Sequence, residues 1–209
     1  MRRRKDMPND IYNVIHFDCS EERLQEILEA IQHDHFGPGS IDFNKLIPMP
    51  DDVYHGNLGA REMREYPGTK NWYGWSVENW GTKWNAYDFE YLPKIKDGIV
   101  FNTAWSSVPA IVQKISEKFP DVGIEYAWAD EDFGSNTGLL EFKDGAVQRV
   151  YIPEDRTNEA FRFAAAVQGA ELKEFGYKEN PETGDIEFDE TLLMDRMPQI
   201  KPRQQERER

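Results

Sequence analysis

Residues 71–85, Asn-Trp-Tyr-Gly-Trp-Ser-Val-Glu-Asn-Trp-Gly-Thr-Lys-Trp-Asn, carry four of the six tryptophans of this 209-residue chain. Each indole can bury roughly 150–250 Å². A fold containing this stretch must therefore supply a large apolar surface to receive it. Trp72, Trp75, Trp80 and Trp84 fit neither strict alternation nor a clean helical stripe, so the spacing predicts an irregular segment bent at Gly74 and Gly81. Asn71, Asn79, Thr82 and Asn85 are side chains that bond locally to backbone in turns. Buried rings would order a loop otherwise too long to hold a shape. The same rings, left exposed, would offer Trp72, Tyr73, Trp75, Asn79, Trp80, Lys83 and Trp84 as a stacking surface for bases, sugars or a protein partner.

The run N-W-Y-x-W-x-x-x-N-W-G-T-K-W-N, with L-I-P-M-P upstream at residues 46–50, resembles the YubB-like family of plasmid and phage proteins. The resemblance spans roughly residues 10–145. It implies a ferredoxin-like domain and an origin in a mobile genetic element. It carries over no catalytic or binding residue, because the family has no established biochemical activity.

Hydrophobic patterning is consistent with such a domain. Residues 11–17 are rich in aromatic and β-branched side chains and read as a strand. Ser20 is a helix N-cap, Glu21 and Glu22 suit the positive end of the dipole, and Leu24, Ile27, Leu28 and Ile31 fall at i, i+3, i+4 and i+7. After Gly37-Pro38-Gly39, residues 41–47 read as a second strand, and 58–65 as a short helix. Residues 84–92 and 99–105 read as a hairpin, followed by a helix capped at Ser106 or Ser107 with Pro109 in its first turn and Ile111, Val112, Ile115 and Phe119 on its apolar face. Residues 122–128, 137–142 and 146–152 read as three more strands, the last two joined at Asp144-Gly145. The expected class is α+β: a split β-α-β antiparallel sheet backed by two helices, with a Trp-rich insertion and an extra C-terminal hairpin and helix. The expected divisions are a basic tail over 1–10, the ferredoxin-like domain over 11–153 with its insertion at 48–83, a helical extension over 154–198 containing a helix at 158–168, and a disordered tail over 199–209.

Charge narrows the partners. There are 39 acidic against 25 basic residues, a net −14. Arg2, Arg3, Arg4 and Lys5 open the chain and Lys201, Arg203, Arg207 and Arg209 close it, so the stretch between is more acidic still. Such a body repels phosphate backbones, and direct duplex DNA binding is disfavoured. The single cysteine, Cys19, excludes an intramolecular disulfide and any multi-cysteine zinc or iron–sulfur site. No apolar stretch is long enough to span a bilayer or serve as a signal peptide, so a cytoplasmic protein without cofactor is expected.

Fragments of catalytic and metal motifs do not assemble. Cys19 before a helix N-terminus, near His16 and Asp18, is a weak nucleophile candidate. His33-Asp34-His35 lacks a third metal ligand, and Gly81-Thr82-Lys83 lacks the phosphate-loop spacing. Asp130-Glu131-Asp132, with Glu141 twelfth from Asp130, resembles a calcium loop, but Ser135 stands where the turn glycine belongs. Two readings of function follow. One is a non-enzymatic interaction protein whose acidic surface, Asp130, Glu131 and Asp132 included, meets a basic, nucleic-acid-handling protein. The other is a single-strand nucleic-acid binder using aromatics on the sheet or insertion. The oligomeric state is left open.

Overall fold

In the computed structural model, residues 9–194 are described. The tails expected at the two ends, apart from Asn9 and Asp10, lie outside the described residues.

Strand β1, Asp10–Asp18, alternates as its sequence requires. Ile11, Asn13, Ile15 and Phe17 are buried on one face, while Tyr12, Val14 and His16 point to the other. Helix α1, Glu21–Ile31, begins where Ser20 Oγ accepts the Arg23 N–H at 3.3 Å, and buries Leu24, Ile27 and Ile31. Such a cap contributes about 1 kcal/mol.

No strand of the main sheet follows until residue 98. Residues 41–47, read as a strand, form a 3₁₀ turn at Phe43–Lys45 instead. Asp42 Oδ1 accepts the Asn44 N–H at 3.0 Å, Asn44 Oδ1 accepts the Met49 N–H at 3.2 Å, and Asn85 Oδ1 accepts the Phe43 N–H at 3.0 Å. Side chains that satisfy backbone locally outcompete a ladder. The short helix expected over 58–65 is confined to α2, Glu62–Glu65.

The tryptophan run is not irregular: its first half is helix α3, Trp72–Asn79. Asn71 caps it, its Oδ1 accepting the Gly74 N–H at 3.0 Å and its Nδ2 donating to the carbonyls of Tyr66 and Gly68. Gly74 is required there, since a Cβ would stand 2.1 Å from the Gly68 carbonyl oxygen.

Residues 84–92 are also not a strand. One antiparallel bridge, Tyr87 with Asn102, is closed by two N–H···O bonds of 3.1 Å, and Asp88 at φ 64° ends it. With Thr82, whose hydroxyl bonds both polar groups of Ala104, this segment covers the outer edge of β2, Gly98–Ala104, all seven of whose residues are buried.

Helix α4, Pro109–Lys118, has Pro109 at its start, but neither Ser106 nor Ser107 caps it. The cap position is Val108, whose N–H reaches the Tyr126 hydroxyl at 2.7 Å. Strands β3 (Gly123–Asp130), β4 (Gly138–Lys143) and β5 (Ala146–Tyr151) form a meander. Between the last two, Asp144 at φ 50° and Gly145 at φ 71° make the tight turn expected of an Asp-Gly pair.

The five strands lie in the order β2-β1-β3-β4-β5, every neighbouring pair antiparallel. Strands β2 and β3 therefore run parallel with β1 between them, a split β-α-β unit closed by α4. Helices α1 and α4 back one face over a core of Ile11, Ile15, Phe17, Ile27, Ile111, Ile115 and Tyr126. Trp75, Trp80 and Phe43 extend that core beside β2. The architecture is α+β and ferredoxin-like.

The other face is half covered. Helix α5, Asn158–Val167, capped by Thr157, lays Phe161, Ala164 and Ala165 on Ala129 and Phe133. A small hairpin, β6 (Tyr177–Glu179) and β7 (Ile186–Phe188), and the turn-length α6, Thr191–Met194, complete the extension.

Candidate functional site

The tryptophans separate into a buried and an outer set. Trp75 and Trp80 are buried edge-to-face at 5.3 Å, and Trp80 Nε1 donates to the Ile47 carbonyl at 2.9 Å. Trp72 is half-buried, its Nε1 donating to the Gly56 carbonyl at 3.1 Å, and Asn79 Nδ2 donates to the Trp75 carbonyl at 2.9 Å. These four residues hold the insertion together through buried rings and side-chain bonds to backbone.

Tyr73, Lys83 and Trp84 instead gather at the surface with Trp105, which sequence reasoning missed. The Lys83 ammonium lies 4.4 Å from the Trp84 ring and 4.8 Å from the Trp105 ring, and Tyr73 meets Trp105 edge-on at 6.4 Å. Trp105 is 43% exposed at φ 70°, a region that costs a bulky residue about 1–3 kcal/mol. Its N–H is pinned to the Asn9 carbonyl at 2.8 Å.

Asp130, Glu131 and Asp132 are not brought together as a site. Asp130 is buried and engaged: Oδ1 accepts the Asp132 N–H at 2.9 Å and Oδ2 accepts Asn136 Nδ2 at 3.0 Å. Asp132 pairs with Arg156 at 2.6 Å. Glu141, the proposed twelfth calcium ligand, stands opposite Glu125, five residues down β3 from Asp130 and so roughly 16 Å away. Among the described residues no three His, Cys, Asp or Glu side chains are placed to hold a metal. Calcium at millimolar concentration is expected to leave the melting temperature unchanged, whereas an ion bound by the folded state would raise it with the logarithm of its concentration above Kd. A thermal scan with and without calcium checks this.

The remaining motif fragments are also accounted for. Asp34 pairs with Lys45 at 2.6 Å, and His33 Nδ1 accepts the His35 N–H at 3.2 Å. Burial first, with Asp18 and Asp121 nearby, pushes the Cys19 thiol above its ordinary range despite Arg23, the opposite of nucleophile activation. His16 turns to Asp97, with Nδ1 and Oδ1 3.0 Å apart.

A concavity lies on the half of the sheet that α5 leaves open. It is a groove of about 810 Å³ whose floor and rim include His16, Asp18, Asp97, Glu125, Glu141 and Lys143. Register places His16, Glu125, Glu141 and Arg149 side by side across β1, β3, β4 and β5. Arg149 bonds Glu141 at 3.0 Å, and Lys143 is tied to the Asp121 carbonyl. Glu125 makes no hydrogen bond or ion pair among the described residues, yet faces Glu141 directly. Like charges opposite one another in a sheet are destabilising by roughly 0.2–1 kcal/mol. The residues come from positions 16, 97, 125 and 141: strand register unites His16, Glu125 and Glu141, and the Phe17 N–H bond to the Asp97 carbonyl at 2.8 Å brings in Asp97. No spacing in the sequence signals the groove.

Residues 79–171 match a family model described as "Ferredoxin-like domain in Api92-like protein". The match covers less than half of the chain and omits β1, the strand at the centre of the split unit. No curated protein and no solved structure matches the chain.

Proposed function

We propose that this is a non-enzymatic interaction protein of a mobile genetic element, phage, plasmid or integrated, that binds a basic segment of a host or element-encoded protein in the open groove of its sheet. The YubB-like tryptophan run supports the origin, and the acidic body supports a basic partner. The carrying observation is the like-charged Glu125–Glu141 pair on the groove floor, in which Glu141 has Arg149 as partner and Glu125 has none among the described residues, with Asp18 and Asp97 at the rim. A lysine or arginine entering there removes a repulsion as well as adding an attraction. The groove holds no activated nucleophile and no converging metal ligands among the described residues, so it is read as a binding surface. Among the described residues no helix is long and apolar enough to cross a membrane, and the protein is read as acting in the cytoplasm.

The test is fluorescence anisotropy with a labelled peptide of alternating lysine and valine. Binding should weaken steeply with salt. The E125Q/E141Q double variant should lose about tenfold in affinity, equivalent to about 1.4 kcal/mol, while keeping or gaining stability as the repulsion is relieved. Undiminished binding by that variant would refute the groove.

A second reading keeps single-stranded nucleic acid as ligand, favoured by the exposed Trp105 beside Lys83 and Trp84. It predicts that a labelled oligonucleotide binds and that Trp105→Ala removes roughly 1–3 kcal/mol of that affinity. The acidic surroundings and the cover that α5 gives the sheet face count against it.

A further inference from the structure

The two edges of the sheet are treated differently. The β2 edge is covered by residues 82–87, as described above. The β5 edge is not: the sheet ends there, and Val147, Val150 and Ile152 are 48%, 60% and 62% exposed. An uncovered edge strand carrying β-branched apolar side chains, with no proline or lysine in its six residues, is a template for another strand. Its bulge does not close it. The bulge lies where Glu141 faces Arg149 and Phe142 faces Val147, so that Gln148 is the extra residue.

We propose that β5 pairs antiparallel with β5 of a second copy of this chain, making a two-fold dimer with a continuous ten-stranded sheet. The side-chain pattern selects both the occupant and the register. Val147 and Val150 stand opposite Phe142 and Leu140, on the helix-bearing face, whereas Arg149 stands opposite Glu141 on the groove face, and Gln148 lines the groove. With Val150 facing the second copy's Val147, Arg149 faces Gln148 and Tyr151 faces Ala146. Every pair then lies on a common face, and the valines of both copies merge into one apolar stripe.

Charge agrees with this register. Arg149 already bonds Glu141 of its own copy. Across the axis it lies beside Gln148 of the second copy, next to that copy's Glu141. Two arginines thus stand at the centre, between the two acidic grooves, and an isologous contact of this kind is self-complementary and closed. The grooves join into one trough on the sheet face. Because Tyr151 of one copy meets Ala146 of the other, the half of the sheet covered by α5 lies alongside the open half of its neighbour.

Sedimentation equilibrium on the full chain tests the proposal, at moderate salt because two chains of net −14 repel one another over a Debye length. The expected result is a concentration-dependent species of twice the 24.4 kDa chain mass. Val150→Lys, which is exposed in the monomer, should leave the melting curve of the monomer intact. It should weaken the dimer by about tenfold or more, since each substitution acts twice across the axis. Val77→Lys on the exposed side of α3 is the control and should change nothing. In a Cys19→Ser background, a Val147→Cys copy mixed with a Val150→Cys copy should cross-link, which fixes the register. A monomer at every concentration, or a dimer indifferent to Val150→Lys, overturns the proposal.

Discussion

Trp80→Ala is expected to lower stability by about 3–5 kcal/mol, the cost of deleting a large buried aromatic. The ring is 3% exposed, packs edge-to-face on Trp75 and Phe43, and its Nε1 holds the Ile47 carbonyl, which the substitution leaves without that donor. Trp75→Ala belongs in the same class. Against a typical domain stability of about 5–15 kcal/mol, either change removes a large fraction. For a chain of this size the melting temperature should fall by roughly 6–20 °C. Trp84→Ala, at a half-exposed ring whose contacts are with Lys83 and Tyr87, should cost far less. Thermal melts of the three variants decide the point, and a Trp80→Ala protein that melts like the parent would show that the insertion is not held by its tryptophans.

That insertion also shows where the sequence could and could not be read. Local signals were sufficient for β1, for α1 behind Ser20, for the Asp144-Gly145 turn and for α5. In each case a cap, a turn pair or a simple period is decided by neighbours in the chain. Helix α3 is hidden in the sequence because its tryptophans alone form no helical stripe. Trp72, Trp75, Ser76 and Asn79 do fall at i, i+3, i+4 and i+7, but two members of that stripe are polar. They are tolerated because Ser76 Oγ and Asn79 Nδ2 bond back to the Trp72 and Trp75 carbonyls. Residues 41–47 failed in the opposite sense. Ile41, Phe43 and Ile47 have the strand period, yet Asp42 and Asn44 bond the backbone into a turn.

The candidate site was less legible than the fold. Nothing in the sequence pairs Glu125 with Glu141, which stands out there only as twelfth from Asp130, and the two become a like-charge pair only through the β3–β4 register. Asp130, Glu131 and Asp132 drew notice as an acidic run, but Asp130 and Asp132 are used up by Asn136, Arg156 and backbone N–H groups. An acidic run adjacent in sequence tends to satisfy itself through a turn. Carboxylates brought together from separate strands are held in place by the ladder and keep their charge facing outward.

Tyr126→Phe, the loss of one oxygen atom, is expected to cost about 2–6 kcal/mol. The hydroxyl is fully buried, accepts the Val108 N–H at 2.7 Å and donates to Asn13 Oδ1 at 2.7 Å. Asn13 Nδ2 in turn donates to Thr103 Oγ1 at 2.9 Å, and Thr103 donates to the Ser106 carbonyl at 2.7 Å. One network therefore joins β1, β2, β3 and the start of α4, a helix that has no side-chain cap of its own. The phenylalanine variant leaves two buried polar groups unpaired, each at about 1–3 kcal/mol. The same hydroxyl gives a pH dependence of definite sign. Burial holds the Tyr126 phenol above its ordinary range, and burial followed by the Asp10 hydrogen bond does the same for Tyr87. The folded state then binds these protons more tightly than the unfolded chain, whose tyrosines titrate near about 10. Their contribution is fully present below that pH and is lost as pH rises above it. Melting temperatures at neutral pH and in alkali should diverge strongly for the parent and less for Tyr126→Phe, because only Tyr87 then remains to titrate with that sign among these two. Equal alkaline losses in both proteins would show that the Tyr126 phenol is not the buried, proton-holding centre of this network.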